Sequence, residues 1–278
     1  MNRIIFNSSM PRSGSELLQV ILHQNPNIYG SPTSPLNSFV VNMREVMQHP
    51  EVKSQPEELM RNAFVQGSLY FFQGYYDSIT DRPIVCDKCR QWMYDYSLLS
   101  EIIHKTPYMF CMIRDLRDVF TSMEMNWRKN RHLPCGPDNP QTLQNMTLRE
   151  RVGSWSHNHP VGYSAQRLKG AEEQGFTKDI YFIRYEDFTR NPDDCLRGLY
   201  DYLELPYFQH DYKNIIKEVE EDHRWHGPFG NHDVQKELKP SVSRYKEILG
   251  DDIGNEIISG FEWFYQMFYP EVLEQGES

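Results

Sequence analysis

The sequence predicts an α/β fold in three layers, with a central, mainly parallel sheet flanked by helices. Three observations carry this reading. Four short apolar runs rich in β-branched and aromatic residues recur along the chain. Longer segments with helical spacing lie between them. A Gly/Ser turn joins the first apolar run to the first helical one.

The apolar runs are "RIIFNS" (Arg3–Ser8), "PIVCDK" (Pro83–Lys88), "PYMFCMIR" (Pro107–Arg114) and "DIYFIRY" (Asp179–Tyr185). Near-continuous hydrophobic runs of this length suit strands of a parallel sheet, which are covered on both faces. Helical patterns occupy Ser15–Gln24, roughly Glu57–Ser78, Gln91–His104, Leu116–Asn130 and Leu148–Gln174. Strand and helix in alternation imply crossover helices over both faces of the sheet. "HLPCGPDNPQTLQN" (His132–Asn145) contains three prolines and reads as a loop rather than a linker. No internal repeat is visible, and residues 1–278 are expected to form a single domain.

Composition narrows the function. Hydrophobic residues make up 39% and charged residues 24%, which suits a folded core. A formal charge of −10 argues against a general nucleic-acid binder while leaving room for a local basic pocket. No run of about 18 apolar residues occurs, so no membrane span is expected. The first residues run directly into the Gly/Ser turn, and no signal peptide is expected. The five cysteines (Cys86, Cys89, Cys111, Cys135 and Cys195) are odd in number and scattered, which suits reduced thiols in the cytoplasm. Cys86 and Cys89 form a C-x-x-C without a second ligand pair, so they read as strand-end filler rather than a metal or redox site.

In parallel sheets of this kind, ligands sit beyond the carboxyl ends of the strands. After the first run come Pro11, Arg12, Ser13, Gly14 and Ser15, then a helix. Gly14 lets the backbone turn and approach a ligand closely. The N–H groups and dipole of the helix start favour an anion there. The third run ends in Arg114, and Ser122 follows eight residues later, placed to clamp a second phosphate. Each feature alone is also ordinary chemistry: a Ser-Gly turn caps helices, and Arg114-Asp115 and Arg117-Asp118 read equally as surface ion pairs. Their occurrence together, each after a predicted strand, favours the anion site. The triphosphate-binding pattern G-x-x-x-x-G-K-[ST] is absent, which weakens a nucleotide-kinase reading.

These segments resemble the sulfotransferase family, in its bacterial and tyrosylprotein-like branch. "PRSGSELL" is similar to that family's 5′-phosphosulfate loop, usually PRSGTTLL. "IRDLRDVFTSM" resembles its 3′-phosphate motif, R-D-x-R-D-x-x-x-S. "IRYEDFTRNPDDCLRGLYDYLELPY" (Ile183–Tyr207) resembles its Y-E-D-L, N-P and L-x-L-P segment. "VCDKCRQW" (Val85–Trp92) resembles its strand-end lysine motif, and "KPSVSRYKEILG" (Lys239–Gly250) its cofactor-closing segment. The resemblance implies a P-loop-type fold. It implies 3′-phosphoadenosine 5′-phosphosulfate (PAPS) as donor, 3′-phosphoadenosine 5′-phosphate (PAP) as product, and no required metal. It implies that Arg12 faces the 5′-phosphate or the transferring group, with Ser13, Gly14 and Ser15 adding hydrogen bonds. Arg114 and Ser122 match the 3′-phosphate ligands, Tyr185 the adenine-side tyrosine, and Arg244 the segment that closes over the nucleotide. Lys88 matches the lysine that neutralises charge on the bridging oxygen.

The departures from the family pattern are specific. Glu16 stands where the loop usually carries a second threonine, and it is expected to face outward at the helix N-terminus. The tyrosylprotein branch places a basic glutamate after the first helix, but "YGSPTSPLN" (Tyr29–Asn37) has none. The cytosolic branch places a histidine two residues after the lysine, where this chain has Arg90. The base is therefore sought in "SWSHNHP" (Ser154–Pro160), with His157 preferred over His159. Asp87 comes next, although it should point away from Lys88 on a strand, and Glu45 is more distant still.

The resemblance implies an acceptor hydroxyl or amine, and it leaves a small molecule, glycan, lipid and peptide all open as its carrier. The aromatics of "SLYFFQGYYDS" (Ser68–Ser78) and "FEWFYQMFYP" (Phe261–Pro270) fit core packing, with the first group also able to line an acceptor cavity. The missing base keeps open a second class of function, a PAP- or PAPS-binding protein of the same fold without transfer activity.

Overall fold

The computed structural model describes residues 3–131, 141–218 and 234–274. In chain order the elements are β1 (Arg3–Asn7), α1 (Ser15–His23), β2 (Ile28–Thr33), α2 (Leu36–Val46), α3 (Pro50–Lys53) and α4 (Glu57–Asp77). There follow β3 (Ile84–Lys88), α5 (Tyr96–Ile103), β4 (Met109–Ile113), α6 (Leu116–Asn130) and α7 (Gln141–Gln144). Next come α8 (Leu148–His157), α9 (Val161–Glu173), β5 (Ile180–Arg184), α10 (Tyr185–Arg190) and α11 (Pro192–Tyr202). The C-terminal part holds α12 (Tyr245–Ile248), α13 (Asp251–Gly260), α14 (Glu262–Phe268) and α15 (Pro270–Glu274).

Five strands form one sheet in the order β2-β3-β1-β4-β5, and every pairing is parallel. Alternation along the strands divides the core in two. Phe6, Val85, Met109, Cys111, Ile113 and Ile180 face one layer, which holds α2, α4, α5, α6, α8, α9, α13 and α14. Ile5, Ile28, Cys86, Phe110, Met112 and Ile183 face the other, which holds α1, α10 and α11. β4, between β1 and β5, is buried along its whole length. Three layers around a parallel sheet agree with the sequence expectation, with the helices unevenly shared.

The structure corrects the sequence reading in three places. A fifth strand, β2, runs through "IYGSPT", where Gly, Ser and Pro hide the strand pattern. Its position at the sheet edge explains the tolerance: an edge strand does not need every ladder donor that Pro32 lacks. Gly30 is required there because a Cβ would lie 2.5 Å from the Gln19 carbonyl oxygen of α1. Second, the helix expected over Leu148–Gln174 is two helices. Asn158 is extended (φ −120°, ψ −167°) and Pro160 starts the next helix. Third, Gln141–Gln144 form a helical turn inside the expected loop, whose residues 132–140 lie outside the described residues. Cys135 lies outside them too. The aromatics of α14 are core: Phe264, Tyr265 and the following Tyr269 are buried. In α4, Phe72 and Tyr76 are buried and Tyr70 is 66% exposed.

Candidate active site at the carboxyl ends of the strands

Beyond β1 the chain continues beside β4. Ser8 N–H donates to the Phe110 carbonyl at 3.0 Å and Met10 N–H to that of Met112 at 3.0 Å. The Ser13 hydroxyl then donates to the Met10 carbonyl at 2.6 Å, closing the turn on itself. Ser13 thus fixes the loop with its side chain and is itself fully buried. Gly14 takes the cap position of α1 with φ 85°, and it brings no side chain to the first turn. A Cβ on Gly14 would stand 2.5 Å from the Tyr185 ring, so the loop lies flat against that tyrosine. Ser15 opens α1, half-buried.

Arg12 is held in the left-handed region (φ 56°), which is strained for a residue with a side chain. The side chain turns toward α6, where its Nε donates to the Ser122 hydroxyl at 3.1 Å. From the end of β4, Arg114 Nη1 donates to the Arg12 carbonyl at 3.2 Å. The Arg114 guanidinium carbon also lies 4.6 Å from the centre of the Tyr185 ring. Arg12, Arg114, Ser122, Tyr185 and Gly14 therefore form one cluster, although they are spread over 174 residues of sequence. Burial and then the Arg114 charge lower the Arg12 guanidinium from its ordinary value. Among the described residues no carboxylate is in ion-pair contact with either cation, although the charges of Asp118 and Glu186 act on Arg114 from nearby, and Arg114 Nε is buried without a partner.

The neighbouring carboxylates are engaged elsewhere, and sequence reasoning missed their work. Asp115 caps α6 by accepting from Arg117 N–H at 2.9 Å, and it binds the Arg117 side chain and Tyr265 hydroxyl (2.9 Å). The Arg117 charge thus goes to Asp115 in a largely buried pair rather than to Asp118 on the surface. Asp118 accepts from the Ser243 hydroxyl at 2.9 Å and the Arg244 N–H at 3.2 Å, so it fastens the C-terminal segment to α6. Burial pushes the Asp118 carboxyl up. Glu186 accepts from Asp115 N–H (3.2 Å) and Tyr269 hydroxyl (2.8 Å), and burial pushes it up as well. The Arg244 side chain bonds Glu247 at 2.8 and 3.0 Å and approaches Met125 Sδ at 3.8 Å. It borders α6 one turn beyond Ser122 without joining the Arg12–Arg114 cluster.

Lys88 ends β3. Its main chain is held by the Ser31 hydroxyl, which accepts from Lys88 N–H at 3.0 Å, and by Ser34 N–H, which donates to its carbonyl at 2.9 Å. Its buried ammonium pairs with Glu16. This corrects the expectation for Glu16, which turns inward and lies 2.7 Å from Lys217 through its other oxygen. Two buried cations outweigh the dipole of the helix start in deciding its direction. Burial alone would push Glu16 up, but Lys88 and Lys217 together hold its carboxyl below the usual range.

The expected bases are placed apart. Asp87 points to the opposite face, as strand alternation requires, and accepts from Tyr76 hydroxyl and Trp92 Nε1 at 2.5 Å each. Burial pushes its carboxyl up. His157 is exposed at the end of α8, with Nδ1 2.8 Å from the Gly153 carbonyl. Because a carbonyl only accepts, Nδ1 carries a proton, which makes Nε2 the accepting nitrogen of the neutral ring. His159 is exposed and edges onto Tyr163, and Glu45 is exposed near the end of α2. No hydrogen bond joins His157 or Glu45 to Lys88. Cys86, Cys89, Cys111 and Cys195 are free thiols, and burial pushes Cys89 up to about 11, which keeps it protonated filler. Among the described residues no group of three or more His, Cys, Asp or Glu side chains could hold a metal ion. None of the described helices is long and apolar enough to cross a membrane.

A Gly/Ser turn before a helix, with two neighbouring arginines beyond the carboxyl ends of a parallel sheet, is an arrangement suited to an anionic ligand. Comparison with known families gives that arrangement its class. The model of the sulfotransferase family matches residues 5–209, from β1 to just past α11, and this chain belongs to that family. No curated protein matches it in sequence. Among solved structures, the sulfotransferase domain from the curacin biosynthetic pathway superposes with a TM-score of 0.57 at 18% identity. The match covers 94% of this chain and 98% of that one. Sulfotransferase STF9 from Mycobacterium avium gives 0.54 at 13% identity, over 96% and 77% of the two chains. The sulfotransferase domain of the Synechococcus PCC 7002 olefin synthase gives 0.50 at 16%, over 92% and 94%. At these identities the structures are alike in fold.

Proposed function

We propose that this protein is a PAPS-dependent sulfotransferase that moves a sulfuryl group to a hydroxyl or amine of its acceptor, with residues 1–278 acting as one domain. The reading rests chiefly on Arg12 and Arg114. Two guanidiniums share one loop, no carboxylate pairs with them among the described residues, and one buried N–H is unpartnered. Like charges so placed favour an anion between them, beyond what the nearby Asp118 and Glu186 charges offset at Arg114. The first turn of α1 adds its N–H groups to the same side. Arg114 and Ser122 take the 3′-phosphate, Arg12 and the backbone of Ser13, Gly14 and Ser15 the 5′-phosphosulfate, and Tyr185 the adenine side. Arg244 closes on the nucleotide from the segment that Asp118 fastens. No metal is required in this reading.

Lys88 supplies a cation where charge develops as the bond from sulfur to the bridging oxygen breaks. His157 is the base, with Nε2 as the accepting nitrogen. His157→Ala should lower turnover by roughly 10²–10⁴-fold, the usual range for a positioned base. The exposure of His157, His159 and Glu45, and the turn of Asp87 to Tyr76 and Trp92, favour a second reading, a PAP- or PAPS-binding protein without transfer activity. Incubation with PAPS and a mixed acceptor extract, following PAP release and +SO₃ products, separates the two. Binding of PAP without turnover would select the second. Equal thermal stabilisation by ATP with magnesium and by PAP would defeat both.

A further inference from the structure

Glu16 occupies a position where a negative charge should oppose the ligand of the loop, yet it is built in rather than turned away. Its two oxygens are divided between cations, one taking Lys88 and the other lying 2.7 Å from Lys217. The three side chains are between 11% and 16% exposed. The next residue, Glu218, lies 3.2 Å from His23 Nε2 and 4.0 Å from Arg82, which holds this stretch of chain against α1.

A lysine ammonium sits on a flexible stem and costs rotamer entropy to hold in place. The main-chain bonds to Ser31 and Ser34 fix the Lys88 backbone but not its nitrogen. Glu16 fixes the nitrogen, and it does so from the first turn of α1, rigidly joined to the Gly14 turn. An ammonium has three donors, so Lys88 can keep Glu16 and still donate to a ligand oxygen. The three charges sum to plus one. Without Lys217 they would sum to zero.

Building on the sulfotransferase reading, we propose that Glu16 is a positioning residue for Lys88. It holds the ammonium at the phosphate loop before the donor arrives, and Lys217 offsets the charge that Glu16 sets against an anionic donor. The two duties pull apart in a measurable way. Glu16 should weaken donor binding slightly while speeding the chemical step.

The test uses the full-length protein with PAP and PAPS as probes. Glu16→Gln should tighten PAP about threefold to tenfold by calorimetry, the scale of removing one partly screened like charge. The same variant should lower kcat for PAP release, with a mixture of simple phenols, alcohols and amines, by about tenfold or more. Lys217→Met should weaken PAP about tenfold, and Glu16→Gln with Lys217→Met should return it to within about threefold of the starting value. In the ligand-free protein, acetic anhydride labelling of Lys88 should rise in Glu16→Gln as the ammonium is freed from its carboxylate. Loss of PAP affinity and turnover together, the mark of a merely structural residue, overturns the proposal. So does Lys88 labelling at the original rate. If no form binds PAP, the sulfotransferase reading falls, while the labelling result still decides whether Glu16 anchors Lys88.

Discussion

Arg114 donates from Nη1 to the main-chain oxygen of Arg12 across 3.2 Å, so the cation at the end of β4 braces the loop that presents the other cation. The two residues belong to different motifs in the sequence, and the bond makes them one device. Arg12 pays for this in backbone strain at φ 56°. Brace and ligand contact can be told apart. Arg114→Ala should weaken PAP by about 1.5–3 kcal/mol, the range for a lost charged hydrogen bond. Adenosine 5′-phosphosulfate lacks the 3′-phosphate and should lose less, through the loosened loop alone. Equal losses by calorimetry would make Arg114 a brace only.

Lys88 offers a different separation. If its charge matters more in the transition state than in the ground state, removing it should spare binding and damage chemistry. Lys88→Ala is expected to lower kcat by roughly 10²–10³ while PAP affinity changes little. The variant also leaves Glu16 facing Lys217 alone, so the unfolding temperature should be checked beside the kinetics. A drop in PAP affinity as large as the drop in kcat would place Lys88 in ground-state binding instead.

The strands β1, β3, β4 and β5 were legible because buried parallel strands are continuous apolar runs, and α6 because its apolar spacing is unbroken from Leu116 to Asn130. β2 was not, because an edge strand tolerates the Gly, Ser and Pro that read as a loop. The break between α8 and α9 could have been found from Pro160, whose missing N–H seldom suits a helix interior. At the site, Arg12, Arg114 and Ser122 could be listed from their places after strands and Tyr185 from the family resemblance, and the four do converge. The inward turn of Glu16 could not be read locally. It depends on Lys88 and Lys217, which lie 72 and 201 residues away in sequence. The same is true of Asp118, whose partners Ser243 and Arg244 follow more than a hundred residues later.

Gly14 tests the loop's geometry without touching a charge. Alanine there meets two obstacles: a left-handed backbone, costing about 1–2 kcal/mol, and a Cβ placed 2.5 Å from the Tyr185 ring. Tyr185 cannot retreat freely, because the Arg114 guanidinium lies over it. Gly14→Ala should therefore lower the unfolding temperature by several degrees, roughly what 1–3 kcal/mol produces in a chain of this size. PAP affinity should fall with it. Unchanged stability together with unchanged PAP affinity would mean that the loop rearranges easily and that the close approach to Tyr185 is not a constraint.

The segment that packs beneath α1 carries a pH dependence of its own. His210 is buried, its Nε2 is 3.1 Å from the Tyr200 hydroxyl, and burial lowers its pKa to about 4. Tyr207 and Tyr212 surround the ring, and Asp193, bonded to both, is the nearby charge that opposes the shift. Above the ordinary histidine value of about 6.5, the ring is neutral in both the folded and unfolded chain, and its packing is fully available. Below that value the unfolded chain takes up a proton that the folded one refuses. Stability is thus lost as pH falls from about 6.5 toward about 4, by roughly 2 kcal/mol in all once residual solvent is allowed for. Asp87, Asp118 and Glu186, whose carboxyls are pushed up by burial, act in the opposite direction as pH falls. The comparison must therefore be made between the native protein and His210→Gln, using urea midpoints from about pH 7.5 to about pH 4.5. The native protein should lose more stability over this range than the variant does. Parallel curves would show that His210 is protonated in the fold without penalty.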